Sequence, residues 1–475
     1  MCMLHFIGAS EEVIGEALKE LFADQSFTRE QLFLISKAGY LQRSDISILD
    51  PSEYVQINDK HFHSLAPALL EAQITGSLKR MGIDRLDLFM LNSPERMMLA
   101  NNKQFTKADI YKSIHLALRH LDHEVSRGYF IPFLLTTTHA KDTPSLFKPT
   151  PGRISSYGVC SNSMANPGAP DHISLSQILD DLGHSAENFA AVESPFNLFE
   201  RGVVSGGEGT DVTGMEMPLA KLAAERGVYL FINRPLTAIA GGQIRALVNP
   251  STAEPAVSEQ ELLDKLTKDF ENTAVLEANI SAMRAMIANT KRSRPLLTCS
   301  SYSTANPFHK ICVLAENFSA LSQNHFAAKH YIQQQLEPAV RRDLEALEEY
   351  AAQLSVEDEK EEYRQWIKEY EKHIHTLTTH LTTYTRIDHY RKSSDLDRVL
   401  CAVCPPLAHT PSTPHSPLSV KSLRVLLANQ EVGTVLVGMR ARAYVADALL
   451  AARMESEKTL EREAVEDVFA CPLLL

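Results

Sequence analysis

Polar residues whose side chains can donate or accept hydrogen bonds stand in or at the ends of several apolar, strand-length runs. Lys37 closes Leu32–Lys37, and Asn92 follows Leu86–Leu91. Ser161 and Asn162 end the run that begins at Ile154, Glu193 lies within Phe189–Pro195, and Asn233 ends Val228–Asn233. An asparagine amide can donate a hydrogen bond to a carbonyl oxygen; an ionised glutamate can accept from an amide but not donate. Gly438, Met439, Arg440 and Arg442 form a basic, glycine-led turn, and guanidinium forks suit phosphate. The bland readings are a snorkelling lysine at a strand end and arginines that merely face solvent. Cys401 and Cys404, with His409 and His415, could be read as a Cys₂His₂ metal set. That region is proline-rich and a lone CxxC is a weak signal, so no metal site is assigned. His373, His375, His380 and His389, interleaved with Thr and Lys, are explained by a solvated helix face. Trp366 reads as helical packing and Glu357–Glu362 as a solvated helix start.

Positioning those residues requires alternating helices and buried strands. Ala72–Met81 has apolar residues at helical spacing, Gly82 stops it, and Leu86–Leu91 reads as a strand buried on both faces. A helix passed through a tight loop into such a strand is the unit of a parallel α/β fold. Ser10 is a plausible N-cap, with Glu11 and Glu12 in the first turn where the helix dipole favours them. Residues 41–64 read as a polar loop, Ala108–Ser126 as a long helix, and 128–153 as an insertion with several prolines. Ser174–Leu182 and Met217–Arg226 are further helices. Beyond Gly241 the alternation stops. Glu259–Asn289, Val313–Tyr350 and Glu357–Tyr384 are long amphipathic helical stretches, and Pro405–Pro417 a surface loop. Val420–Asn429, Thr434–Gly438 and Tyr444–Arg453 then resume helix, strand, helix.

The wording of these segments resembles a known family. Ser77–Glu95, SLKRMGIDRLDLFMLNSPE, is similar to the "SL.RLG.D..DL..LH.P" signature of aldo-keto reductases. Gly8–Leu18 resembles "YG.SEE.IG.AL", ISSYGVCSN resembles "IR.IGVSN", and ESPFNLFERG resembles "Q.PYNL.ERG". The stretch from Ser422 through Leu449 resembles the closing helix, strand and phosphate-contacting turn. This implies a (β/α)₈ barrel of TIM type that lacks its first β/α units and carries a long helical insertion after strand seven. The implied domains are 1–240 and 419–475 for the barrel and 241–418 for the insertion.

In the family, a tyrosine protonates the alkoxide formed by hydride from NADPH, a lysine lowers that tyrosine's pKa, and an aspartate and histidine assist. The resemblance places Lys37 at the lysine. Ile7 falls at the tyrosine and Asn92 at the histidine, and the aspartate would precede Met1. It places Ser161, Asn162 and Glu193 against the nicotinamide carboxamide and Asn233 where a stacking aromatic often stands. Gly438, Arg440 and Arg442 fall at the phosphates, the arginines suiting the 2′-phosphate of NADP. Asp447-Ala448 half matches the adenine-contacting pair. Two functions follow. One is a catalytically degenerate, NADP(H)-sensing or scaffolding protein with a protein partner on the inserted helices. The other is an active NADPH-dependent carbonyl oxidoreductase whose true N-terminus lies upstream, taking a small carbonyl substrate.

Composition sets the outer bounds. The chain has 475 residues, 44% hydrophobic and 22% charged, which suits about one barrel of roughly 250 residues plus an added region. A formal net charge of −12 argues against nucleic acid as the main partner. Seven scattered cysteines look like reduced thiols, no apolar run approaches membrane-spanning length, and the start resembles neither a secretory signal nor a transit peptide. The cytoplasm is the expected compartment.

Overall fold

A computed structural model describes residues 8–58, 61–98, 105–127, 152–183, 187–206, 209–210, 216–240, 243–249, 257–290, 310–322, 324–408 and 416–472. The chain divides into two compact units, Met1–Pro235 with Ser422–Leu475, and Leu236–Lys421.

The first unit is organised by one six-stranded parallel sheet, built from β1 (Ile35–Ala38), β2 (Leu88–Asn92), β3 (Tyr157–Cys160), β4 (Phe189–Pro195), β5 (Tyr229–Asn233) and β6 (Thr434–Val435). The strands lie side by side in chain order, every pair parallel. Sequential order means that each crossover steps the same way, so the sheet curls as half of a barrel of TIM type; a doubly wound sheet would reverse at a switch point. All six strands overlap the segments read as strands from the sequence, β1 and β2 each running one residue further, to Ala38 and Asn92.

Both faces of the sheet are covered, which is why its strands lack alternation. Phe89, Leu91, Tyr157, Val159, Val192, Leu230 and Ile232 pack with Ile74, Ile114, Leu118, Ile178 and Leu222 from the helices between strands. These are α2 (Pro67–Met81), α3 (Lys107–Ser126), α4 (Leu175–Leu182) and α5 (Leu219–Glu225). Leu88, Met90, Cys160, Ala191 and Phe231 form a separate, inner cluster on the opposite face. Burying each large side chain contributes about 1.5–3 kcal/mol, so the doubly covered sheet is the main source of stability here.

The helix ends follow their local chemistry. Gly82 ends α2 in the left-handed conformation (φ 66°), as its position after the apolar stripe predicts. Thr106 and Asp109 close a reciprocal capping box on α3. The Ser174 hydroxyl accepts from the Gln177 amide at the start of α4. At α1 (Ala9–Ala23) the expected cap is displaced: Gly8, with φ 93°, is the N-cap and Ser10 lies inside the helix. Glu11 instead anchors the helix. Its carboxylate accepts from Ser36 of β1, from Ser77 Oγ at 2.7 Å and from Arg80 Nε at 2.7 Å on α2.

Residues 41–64 are not a loop. Tyr40–Gln42, Tyr54–Gln56 and His61–Ser64 pair as a three-stranded antiparallel sheet with buried Leu41, Val55 and Phe62. These apolar residues are thinly spread among polar ones, which masked the strands. The expected insertion falls mostly on residues 128–151, outside the described residues. The helix α9 (Leu418–Leu427) precedes β6, and after it come α10 (Arg442–Glu457) and α11 (Arg462–Ala470), the last unforeseen. Phe469 stacks on Phe196 at 5.2 Å between ring centroids, and its carbonyl accepts from Arg201.

The second unit is mainly helical. It contains α6 (Glu259–Thr290), α7 (Glu337–Ala352) and α8 (Glu357–Val403), preceded by a short hairpin, Thr237–Ala240 with Gln243–Ala246, that was not foreseen. Its core joins Leu266, Ile280, Leu344, Ile367 and Leu377 around Trp366, which stacks on Tyr370 at 4.7 Å and donates to the Leu276 carbonyl. Two readings are corrected. Val313–Tyr350 is several pieces, including a π-turn at Ile332–Leu336 that ends two residues before Pro338, whose missing N–H disturbs the ladder. The histidines of α8 are not all solvated: His389 is buried, and His380 Nδ1 lies 2.6 Å from Asp269.

Candidate active site

The carboxyl ends of β1–β5 bring together Lys37, Asn92, Cys160, Glu193 and Asn233. The register explains the meeting. Cys160 pairs with Asn92 on one side and Glu193 on the other, and Phe231, two residues before Asn233, pairs with Glu193. In a parallel barrel-type sheet this is the end where reacting groups collect.

The centre of the cluster is Glu193. Its Oε1 accepts from the Lys37 ammonium, from Asn233 Nδ2 at 2.7 Å and from the Cys160 thiol at 3.3 Å. Lys37 Nζ lies 3.6 Å from Cys160 Sγ. Burial works against the Lys37 ammonium, but the Cys160 sulfur and the Glu193 carboxylate outweigh it and hold the amine above its ordinary pKa. Burial also pushes the Cys160 thiol up, and the Glu193 charge pushes it further, so it is a neutral donor here and not a nucleophile. Glu193 Oε2 and Asn233 Oδ1, both buried, have no partner among the described residues.

A second network adjoins it. Glu95 is 1% exposed, and its Oε1 accepts from the Asn162 amide N–H at 3.0 Å and from Asn162 Nδ2 at 3.2 Å. Burial lifts the Glu95 carboxyl above the usual range, against the hydrogen bonds that favour its charge. Arg234, held at φ 54°, ties Glu200 to Asn162 Oδ1. Asn162 is therefore engaged on every side-chain polar atom. Ser161 Oγ is 3.3 Å from Ser163 Oγ and the residue is fully buried. The Asn92 side chain accepts from Ser93 Oγ at 3.3 Å, while its carbonyl lies 2.7 Å from Nε2 of buried His63. Burial lowers the His63 pKa to about 4, so that ring is neutral.

Gly438, Arg440 and Arg442 lie apart, beyond the end of β6. All three are exposed, a Cβ on Gly438 would meet nothing within 4 Å, and Arg442 opens α10. The first turn of such a helix presents unpaired N–H groups to an anion.

Thus Lys37, Glu193 and Asn233 meet directly, Asn92 and Asn162 flank them, and the basic turn stands separately. Sequence reasoning missed Cys160, Glu95, Arg234 and His63, and it missed that Glu193 is the partner of Lys37. The signal for the last was present: a carboxylate where the related pattern has a neutral glutamine. Ile7, His409 and His415 lie outside the described residues. Elsewhere in the unit, Glu71, His120 and Glu124 have potential ligand atoms within 4.8 Å of one another, but Arg127 and Arg153 already bind both carboxylates. Among the described residues no helix is long and apolar enough to cross a membrane.

Residues 3–128 match the model of the aldo/keto reductase family. The glycerol dehydrogenase of Gluconobacter oxydans is 18% identical over 53% of this chain and 51% of its own, with a TM-score of 0.28. An aldo/keto reductase from Klebsiella pneumoniae, in complex with NADP and acetate, is 16% identical over 49% and 51%, with a TM-score of 0.27. An aldo-keto reductase from Bacillus halodurans in its holo form is 16% identical over 56% and 61%, with a TM-score of 0.28. The chain spans about half the length of the first of these structures. No curated protein matches it.

Proposed function

We propose, taking the aldo/keto reductase match over residues 3–128 as the premise, that this chain holds NADP(H) without efficient carbonyl turnover and acts as a cofactor sensor or scaffold. On this reading residues 241–418 form an inserted helical domain that offers the surface for a protein partner. The observation that carries the reading is the commitment of Lys37. In the related chemistry a lysine ammonium serves a hydroxyl acid; here its described partners are the Glu193 carboxylate and the Cys160 thiol. A raised thiol and an ionised carboxylate are poor sources of a proton for a nascent alkoxide.

The residues present fit the cofactor well at one end and in part at the other. Arg440 and Arg442 at the start of α10 suit the 2′-phosphate, and Gly438 leaves room for a close approach. At the nicotinamide end the unpartnered Glu193 Oε2 and Asn233 Oδ1 can accept from a carboxamide NH₂ group, and Lys37 can donate to its oxygen. Asn162 is already engaged with Glu95 and Arg234, so it would have to give up a partner to take part. Bound NADPH would supply hydride; the chain's own residues would hold the carboxamide and the phosphates and keep the Lys37 charge neutralised.

Titration of the purified chain with NADPH, followed by nicotinamide fluorescence, tests the reading. Saturable binding with weaker binding of NADH is expected. No binding at near-millimolar cofactor would end the sensor version.

One observation favours the second reading, an active reductase. Glu95 is buried, its carboxyl stays protonated to higher pH than usual, and its Oε2 has no described partner. A neutral carboxylic acid can deliver the proton that Cys160 and Glu193 cannot. Turnover of a panel of aldehydes that disappears in Glu95→Gln while NADPH still binds would establish this alternative.

A further inference from the structure

We infer that Cys401 and Cys404, at the end of α8 in the helical unit, form an oxidisable thiol pair whose reactive member is Cys401. The buried Lys421 ammonium gives both Asp397 oxygens a partner at 2.7 Å and stands 3.3 Å from Cys401 Sγ. Lys421 is only 1% exposed, so this positive charge is fixed beside the sulfur and not shared with solvent. A cation next to a partly exposed sulfur is the surrounding in which reactive cysteines are found. Cys401 meets the exposure condition, while Cys404 is fully buried.

Cys404 is the resolving partner by position. Its amide still donates to the Leu400 carbonyl at 2.8 Å, so the two cysteines share the last helical turn. Residues three apart on a helix are neighbours, yet their Cβ atoms are about 5–6 Å apart, wider than a disulfide spans. The turn must open slightly for the bond to form. Cys404 has already left helical geometry (φ −122°, ψ 82°), and Pro405 follows it, so that opening is confined to a helix end that is finishing anyway. The other recorded contact of Cys401 Sγ, 3.8 Å to the Leu407 carbonyl, is long and readily given up.

The chemistry balances with hydrogen peroxide as the oxidant. The Cys401 thiolate attacks one peroxide oxygen, the O–O bond breaks, and hydroxide leaves as a sulfenic acid forms. The Cys404 sulfur then attacks the Cys401 sulfur, the S–O bond breaks, and water departs with the Cys404 proton. Two thiols are oxidised to a disulfide, and one hydrogen peroxide is reduced to two waters. Closing the disulfide would draw the Cys401 sulfur away from Lys421 and leave Asp397 as the side-chain partner of that buried ammonium among the described residues.

The full chain treated with dilute hydrogen peroxide, then alkylated and mapped by peptide mass spectrometry, tests the assignment. The expected result is an intrachain Cys401–Cys404 disulfide that reducing agent reverses. In Cys404→Ser the product should become a sulfenic acid at Cys401 that dimedone traps. In Lys421→Met the oxidation of Cys401 should slow about tenfold, and Lys421→Arg should restore most of the rate. Circular dichroism decides whether Lys421→Met has kept its fold; if it has not, the Cys404→Ser result alone decides. The inference is overturned if Cys401 stays reduced while other cysteines oxidise. It is equally overturned if Cys401 goes to sulfinic acid with no disulfide, or if the oxidised product joins Cys401 to Lys421.

Discussion

The Lys37 cluster and the Gly438–Arg442 turn are both built from charged and polar residues at strand ends, yet they are opposites in environment. The Lys37 side chain is 18% exposed and Glu193 2%, and each finds its partners inside the protein. Arg440 and Arg442 are exposed at the mouth of a helix. The buried cluster is a closed account of charge: it holds its own geometry but has little left to offer a reacting group. The turn is the reverse: its two guanidinium-bearing residues are exposed to solvent. On the function proposed above, an exposed anchoring end and a reacting end turned inward suit a protein that holds its cofactor with little turnover.

Breaking the buried pair should produce the largest effect. Glu193→Leu removes the Lys37 counter-charge without removing the lysine, and an orphaned buried charge costs roughly 3–5 kcal/mol. Urea unfolding should show a much lower midpoint with an unchanged slope. Lys37→Met combined with Glu193→Leu should recover much of that loss, because no charge is then stranded. If the single and double variants are equally destabilised, the pair is not the source of the cluster's rigidity.

Acid should separate the two regions next. The folded-state pKa of His63 is about 4, depressed by burial from an unfolded value of 6.5. An unfolded chain therefore binds a proton on this ring that the folded chain refuses. Stability is fully present above pH 6.5 and falls as pH drops towards 4, by about 3 kcal/mol in all. His325, in the helical unit and likewise depressed to about 4, adds a loss over the same range. His63→Gln should flatten part of that slope and leave the His325 part standing. An unchanged slope in His63→Gln would mean that the ring is hydrated in solution. No such dependence is expected of cofactor binding through the arginines, which keep their charge throughout.

Arg440→Ala with Arg442→Ala tests the open region. Charge-assisted contacts to a phosphate contribute about 1.5 kcal/mol each, so NADPH affinity should fall at least tenfold while urea stability stays within ~0.5 kcal/mol. NADH affinity should barely change. Equal losses for both cofactors would place the 2′-phosphate elsewhere.

The same contrast explains what the sequence could reveal. Strands buried on both faces announce themselves as apolar runs, so Leu88–Asn92 and Tyr229–Asn233 were legible, as were the helix stop at Gly82 and the packing of Trp366. Lys37 and Glu193 were each legible as strand-end residues, but their union spans 156 positions and depends on sheet register, which no local pattern carries. The 41–64 sheet was missed because its buried residues include histidines, whose presence reads as polarity. The break at Ile332–Leu336 was missed because Glu, Gln, Lys and Ala continue on both sides of it, and Pro338 alone marks the fault.

Two glycines give the smallest and cleanest contrast. Gly82 holds φ 66° with open space around its missing Cβ, so Gly82→Ala meets no clash and pays only for the left-handed backbone, about 1–2 kcal/mol. Gly438 also has nothing within 4 Å of a built Cβ, and its backbone is not in that region. Gly438→Ala should therefore leave the unfolding midpoint unchanged. If the turn does receive the cofactor, the added methyl stands where the phosphates approach, and NADPH binding should weaken although stability does not. A Gly438→Ala protein that binds NADPH as tightly as the parent would show that the space beside this turn belongs to solvent.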